Sequence, residues 1–521
     1  MFTRSPVTLA PPPLAASLAG TTLGSDPYRP EGMMQATHAP SSEPTDHMRL
    51  GPRRVPPDVR KNFACLTLIV TVASMPVEPG SAQAASGETL RRRAAWQASI
   101  AAPSHPDSGA LVRRVDVGSP AERAGLRAGD RILSLNDTAL SDADVFWPAL
   151  RAIRGGDSVR ARVLRVGTSR QPTSADVRFV VDSVPHERIP GATVSYDAVR
   201  SSRGYLVRTV VTRPADGGTA RLPGILFVPW LSCDAVEKPD PGSDGFAHMM
   251  RDVAARSGMV FMRVEKPGLG DSQGPDCRFA GLDDELAAYR AAVGALRARP
   301  DVDRSRIFLL GGSIGGALAP ILAAESPDGI AGVIAVGGFT RTWYEHMLDI
   351  ERRRLTLAGG PPAEVNAAMR GLARLYTDYL LERRTPGDVI AANPELRALW
   401  DDEPRHQYGR PAAYFQDVQR LDVEGAWAAL AGRGVPVLVV WGEYDWIMGR
   451  PEAERAVEIV NAIRPGTATL SILPRTSHGL MTFASLAATF AGQSPRYDGR
   501  PGRVVVDWLL RTRNQEAGSG T

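Results

Sequence analysis

The chain has 521 residues, of which 43% are hydrophobic and 23% charged. That balance is globular and excludes a collagen-like or wholly disordered chain, and the length suits about three folded units. The net charge of +4 comes mainly from dispersed arginines, with no long basic block of the kind that holds nucleic acid, and three cysteines are too few for a disulfide scaffold or a Cys-rich metal site.

Residues 1–47 are rich in Pro, Ser and Thr, show no apolar period, and read as a disordered or over-extended leader. Residues 48–84 follow a different logic. Arg53, Arg54, Arg60 and Lys61 precede an uncharged run from Phe63 to Met75, which leads to Ala82-Gln83-Ala84. Basic, apolar and small-residue segments in that order predict a secretory signal peptide cut after Ala84. The apolar run is short of the roughly 20 residues a membrane span needs. The expectation is therefore a periplasmic or secreted protein without stable membrane insertion. Two cysteines then remain, Cys233 and Cys277, and an even pair in an exported chain predicts a disulfide.

Residues 88–185 form the next unit. Leu111–Val117 alternates like a strand, Ser119-Pro120 starts a short helix, and Gly125 stops it. A strand is expected at Arg131–Leu135, a turn at Asn136-Asp137, a helix over Asp142–Ile153, and strands at Ser158–Arg165 and Val177–Val181. The stretch GSPAERAGLRAGDRILSLND (118–137) resembles that of bacterial PDZ domains. The resemblance implies a β-rich domain that takes a peptide or protein C-terminus as an added strand. The carboxylate loop would be Ala95-Trp96-Gln97-Ala98, with Gln97 where the family usually has Gly.

From residue 190 to 515, short apolar strands alternate with helices, which predicts a mostly parallel sheet covered on both faces. Thr193–Val199 and Tyr205–Thr212 read as an antiparallel pair. Further strands are expected at Gly224–Pro229, Met259–Val264, Arg306–Leu310, Ile330–Val336, Val435–Trp441 and Thr469–Leu473. The strand Arg306–Leu310 runs directly into Gly311-Gly312-Ser313-Ile314-Gly315-Gly316 and then into a helix. Strand, G-x-S-x-G, helix is the arrangement that exposes a nucleophilic serine on a sharp turn, with glycines where side chains would collide. Ser313 needs a base. Of eight histidines, His478 sits in the loop after the last strand, and Asp445 follows strand Val435–Trp441. Asp445 is the expected orienter of the imidazole, with Glu443 as the alternative.

These residues, in the order Ser313, Asp445, His478, resemble the α/β-hydrolase superfamily of serine hydrolases, as does the Gly-rich turn Glu265–Ser272. The resemblance implies an α/β fold with a helical cap, spanning residues 340–432, over the site, and an acyl-enzyme mechanism without cofactor or metal. Most of the cap's aromatics are expected to pack its helices, the rest to line a pocket. Oxyanion donors are expected from the N–H groups of Ile314 and of Trp230 or Leu231. The expected substrate is a small carboxylic ester. Two other readings are a peptidase of prolyl-oligopeptidase-like type, which G-x-S-x-G-G also fits, and a PDZ peptide-binding protein on an inactive hydrolase scaffold.

Overall fold

A computed structural model describes residues 89–105, 107–166 and 172–518. The expected leader and the expected signal peptide, with its cleavage after Ala84, lie outside the described residues.

The first unit contains β1 (Ala94–Ala95), β2 (Ala98–Ala101), β3 (Ala110–Val115), α1 (Pro120–Arg123), β4 (Arg131–Leu135), β5 (Thr138–Ala139), α2 (Ala143–Ala152), β6 (Ser158–Val166), β7 (Pro172–Val180) and β8 (Asp182–Ser183). The main sheet runs β2-β3-β4-β6-β7, all antiparallel, so β2 is an edge strand. Side-chain caps start both helices: Ser119 accepts from the Glu122 N–H, and Asp142 from the Val145 N–H. Asn136 and Asp137 both have positive φ (45° and 72°), as a two-residue hairpin turn requires. Strand β7 starts five residues before the expected Val177 because it pairs with β6 from Val166 to Ser158 without a break. Gln97 takes φ 49°, the left-handed backbone that glycine supplies in the family, and its carbonyl accepts from the Asp116 N–H at 2.8 Å.

The second unit contributes β9 (Ala192–Arg200), β10 (Leu206–Pro214), β11 (Leu222–Val228), α3 (Gly245–Arg256), β12 (Val260–Val264), α4 (Leu282–Ala298), β13 (Val302–Gly312), α5 (Ile314–Glu325) and β14 (Gly332–Val336). Its cap follows: α6 (Trp343–Leu357), α7 (Pro362–Tyr376), α8 (Pro386–Ala392), the hairpin β15 (His406–Gln407) and β16 (Arg410–Pro411), and α9 (Ala412–Val418). Then come α10 (Val423–Arg433), β17 (Val437–Gly442), α11 (Arg450–Ile463), β18 (Ala468–Leu473), α12 (Leu486–Phe490) and α13 (Arg500–Gly518). The sheet order is β18-β17-β14-β13-β11-β12-β10-β9. Only β10 runs against both its neighbours; the other pairings are parallel.

Burial explains the direction. Strand β12, β14 and β17 residues are all buried, as sheets covered on two faces demand. Alternate residues of β11 feed two cores: Leu226 and Val228 face α4 and α5, while Ile225 and Phe227 face α3 and α13. Helix α10 packs on α5 and α11. The helical layer of the sheet therefore resumes inside the 340–432 span. In the cap, Trp343, Tyr376, Tyr379, Trp400 and Tyr414 are all buried and pack on cap neighbours, as in the Trp343–Phe415 stack at 5.3 Å.

The two units share a buried polar seam. Arg92 donates to Glu237 Oε1 (2.8 Å) and Asp271 Oδ2 (2.7 Å), and the Arg93 N–H donates to Asp271 Oδ1 (2.8 Å). Asp271 also receives Arg208 (3.1 Å), and Glu237 receives the Tyr196 hydroxyl (2.5 Å). Paired in this way the two carboxylates tolerate burial; left alone each would cost several kcal/mol.

Cys233 and Cys277 form a disulfide, with Cα atoms 5.7 Å apart. It closes a separation of 44 residues, worth about 4 kcal/mol in the chain-entropy relation. A Cys233→Ser/Cys277→Ser protein should lose about that much stability in urea unfolding; an unchanged midpoint would contradict the estimate.

Candidate active site

The site is assembled at the ends of parallel strands. Gly311 and Gly312 finish β13, Ser313 turns the chain, and Ile314 is already the first residue of α5. Ser313 has φ 55° and ψ −125°, a backbone conformation that non-glycine residues adopt only under constraint. Its N–H donates to the Val336 carbonyl at 2.8 Å, and its carbonyl accepts from Gly316 at 2.7 Å. The glycines two before and two after are sterically required. A Cβ on Gly311 would stand 2.0 Å from the Gly315 oxygen, and one on Gly315 would stand 2.1 Å from the Val228 oxygen.

His478 lies between Ser313 and Asp445. Its Nε2 is 2.9 Å from Ser313 Oγ, and its Nδ1 is 2.8 Å from Asp445 Oδ2. A carboxylate only accepts, so Nδ1 carries the proton and Nε2 is the acceptor for the serine hydroxyl. All three side chains are at most 5% exposed. Asp445 is aimed by its other oxygen, which accepts from the N–H groups of Ile447 (3.0 Å) and Met448 (2.8 Å). The loops bearing Asp445 and His478 are tied together, since the Tyr444 N–H donates to the Thr476 carbonyl and the Glu443 N–H to the Leu473 carbonyl, both at 2.9 Å. Glu443 is turned away: its carboxylate accepts from the Arg475 N–H at 2.7 Å. His478 therefore faces Asp445, while Glu443 faces Arg475.

Ile314 opens α5, so its N–H has no acceptor within the helix. The loop carrying Trp230 and Leu231 begins against that first turn, because the Val228 and Pro229 carbonyls are the atoms that exclude a Cβ from Gly315. Trp230 is buried between Phe227 and Phe246, with ring centroids 5.8 and 5.6 Å away. Lys266, on the Gly-rich turn after β12, donates to the Ser232 carbonyl of this loop. Burial pushes its ammonium down to about 8, against the opposing pull of Glu285.

Two cap residues near the site were not marked out by the sequence. Arg353 of α6 donates to the carbonyls of Trp446 (2.7 Å) and Ile447 (2.8 Å), and so grips the loop that presents Asp445. His346 is buried, its Nδ1 has no hydrogen-bond partner, and its ring stacks on Phe339 at 6.1 Å. Burial, aided by the positive charges of Arg353 and Arg341, pushes its imidazole down to about 3. A lone histidine on a cap helix gives no sequence signal; only its placement near His478 does.

One cluster has the composition of a metal site. Ligand atoms of Asp144, Glu403 and His406 lie within 4.8 Å of one another. Arg278 already supplies a cation there, donating to Asp144 Oδ1 (2.8 Å) and Glu403 Oε2 (2.5 Å). The cluster is an ion-pair junction between the small domain and the cap.

Comparison with known proteins agrees with this architecture. Residues 243–482 match the family described as serine aminopeptidase, S33, and residues 111–165 match the PDZ domain. The chain thus joins a PDZ-like segment to a domain with the α/β-hydrolase fold, similar to a hydrolase family over residues 243–482. Among solved structures, an esterase of Pyrococcus furiosus is 12% identical, with a TM-score of 0.39, covering 63% of this chain and 96% of its own. Carboxyl esterase 2 of Tuber melanosporum is 13% identical, with a TM-score of 0.38, covering 64% and 89%. The 2,6-dihydroxy-pseudo-oxynicotine hydrolase is 19% identical, with a TM-score of 0.36, covering 61% and 68%.

Two outcomes follow. Asp445→Asn should lower hydrolytic turnover about 10⁴-fold by fixing the wrong tautomer, while Glu443→Gln should leave it nearly unchanged; the reverse pattern would reassign the acid. His346 affects stability in acid. Above about pH 6.5 neither folded nor unfolded chain protonates it. As pH falls toward 3 only the unfolded chain takes the proton, so stability drops by about 1.4 kcal/mol per pH unit. His346→Leu should remove that part of the slope in urea unfolding between about pH 6 and pH 4. An unchanged slope would show that His346 titrates in the folded protein.

Proposed function

We propose that this protein is an exported serine hydrolase that cleaves carboxylic esters through an acyl-enzyme on Ser313. The observation that carries this is the unbroken relay from Ser313 Oγ through the His478 ring to Asp445, at 2.9 and 2.8 Å. His478 Nε2 takes the hydroxyl proton as Oγ bonds to the ester carbonyl carbon. Asp445 stabilises the imidazolium and holds its tautomer. The N–H groups of Ile314 and of Trp230 or Leu231 receive the oxyanion, each such donor being worth about 3 kcal/mol. His478 then protonates the departing alcohol, and water activated by the same imidazole releases the acid.

Export is supported by the disulfide, since such bonds persist in oxidising compartments. The PDZ domain's proposed partner is a peptide C-terminus, which the unpaired edge of β2 is placed to receive as an added strand.

A peptidase is the competing reading, because the matched family is described as a serine aminopeptidase. An aminopeptidase must hold the substrate's α-ammonium group. The cap arginines that bear on His346 are themselves compensated: Arg341 pairs with Glu452 and Asp349, and Arg353 lies beside Asp349, Asp445 and Glu452. Ester and peptide are therefore separated by turnover.

Purified protein and a folded Ser313→Ala variant should be assayed on p-nitrophenyl butyrate and on alanine p-nitroanilide. We expect ester turnover that the variant loses, and much slower anilide cleavage. Faster anilide than ester cleavage would favour the aminopeptidase, and ester turnover equal in both proteins would exclude Ser313 as the nucleophile.

A further inference from the structure

We propose that the PDZ domain is a working part of the hydrolase site, with its helix α2 clamping the loop that carries the second oxyanion donor. The inference rests on the serine-hydrolase reading above. Ser313 and Ile314 are fixed by strand β13 and helix α5 on either side. The loop bearing Trp230 and Leu231 runs from β11 to α3 without a ladder of its own. Trp230 is wedged between Phe227 and Phe246, and Lys266 holds the Ser232 carbonyl. An oxyanion donor has to be placed to within roughly half an ångström to act, and the stretch just beyond Leu231 is held from the PDZ side.

A continuous set of contacts does so. Cys233, two residues past Leu231, is bonded to Cys277. The residues on either side of Cys277 are both paired to α2. Arg151 Nη1 is shared between both carboxylate oxygens of Asp276 (2.8 and 3.0 Å), and Arg278 donates to Asp144 (2.8 Å). Asp144 and Arg151 are seven residues apart and so share one face of the helix. Arg151 also reaches the Cys233 carbonyl directly, at 3.5 Å, and so touches both halves of the disulfide-linked segment. Its pair with Asp276 is largely shielded, the two side chains being 23% and 7% exposed. Cap residue Arg410 contacts Cys277 Sγ at 2.7 Å. Arg151 contacts none of the three relay residues. It is a positioning residue, acting through Asp276, the disulfide and the Cys233 carbonyl.

The test uses the full chain with Arg151→Met, Arg151→Lys and Cys233→Ser/Cys277→Ser, each checked for folding by thermal melting. For each, kcat and KM on p-nitrophenyl butyrate and the inhibition constant of phenylboronic acid, which forms a tetrahedral adduct with the serine, are measured. Fluorophosphonate labelling of Ser313 is followed alongside. Losing a whole donor costs about 10²- to 10³-fold in kcat, so a loosened donor should cost about tenfold, with KM within about twofold. Boronic acid affinity should fall in step with kcat, and Arg151→Lys should recover part of both. If Arg151→Met does not fold, Asp276→Asn cuts the same link. Wild-type kcat and inhibitor affinity in folded clamp variants that still label would overturn the clamp alone. An unmutated protein whose Ser313 takes no fluorophosphonate would overturn the clamp together with the hydrolase reading.

Discussion

The structure depends on one strained residue. Ser313 is held at φ 55° and ψ −125° between a buried strand and a buried helix. Such a conformation survives only where its surroundings leave no alternative. Here the alternatives are removed by close packing. Helix α5 lies so near β13 and β11 that no side chain fits at Gly311 or Gly315, and the Val336 carbonyl takes the Ser313 N–H. The same approach that strains the serine brings the orphan amide of Ile314 and the start of the 230–231 loop to its side. Strain and electrostatic readiness are one packing solution.

The rest of the candidate site is built from loops, and each loop is restrained by a group from another part of the fold. The Asp445 loop is gripped by Arg353 from the cap. The His478 loop is tied to it through backbone hydrogen bonds. The loop after β11 is held by Lys266 and by the disulfide, whose flanking Asp276 is paired to Arg151 of the PDZ helix. The sheet thus supplies the nucleophile with precision of its own, whereas cap and PDZ domain supply precision to the loops. This gives the PDZ domain a structural reason to be joined to the hydrolase whether or not a peptide occupies its edge strand.

Much of this was legible in the sequence because it is local. Apolar runs bounded by turn residues marked every main strand of the hydrolase sheet, and Gly311-Gly312-Ser313-Ile314-Gly315 marked the turn. Ser119, Asp142 and Gly125 punctuated the PDZ helices. What was not legible is long-range and charged. Arg353, Arg151, Arg92 and Glu237 carry no motif, and their partners lie tens to hundreds of positions away. Asp445 and Glu443 are likewise told apart only by contacts across the fold: His478 faces Asp445, while the Arg475 N–H faces Glu443. The cap aromatics could be expected to be buried but not placed, because helix spacing does not say which cap helix meets which. Gln97 defeated a glycine rule: its backbone adopts the left-handed turn although its side chain disfavours it.

Acid-quenched mass spectrometry of the protein mixed with p-nitrophenyl butyrate tests the acyl-enzyme most directly. One butyryl group is expected, on the peptide containing Ser313, formed in the first turnover and absent from Ser313→Ala. Hydrolysis with no acyl group on any residue, or with one on another residue, would contradict it.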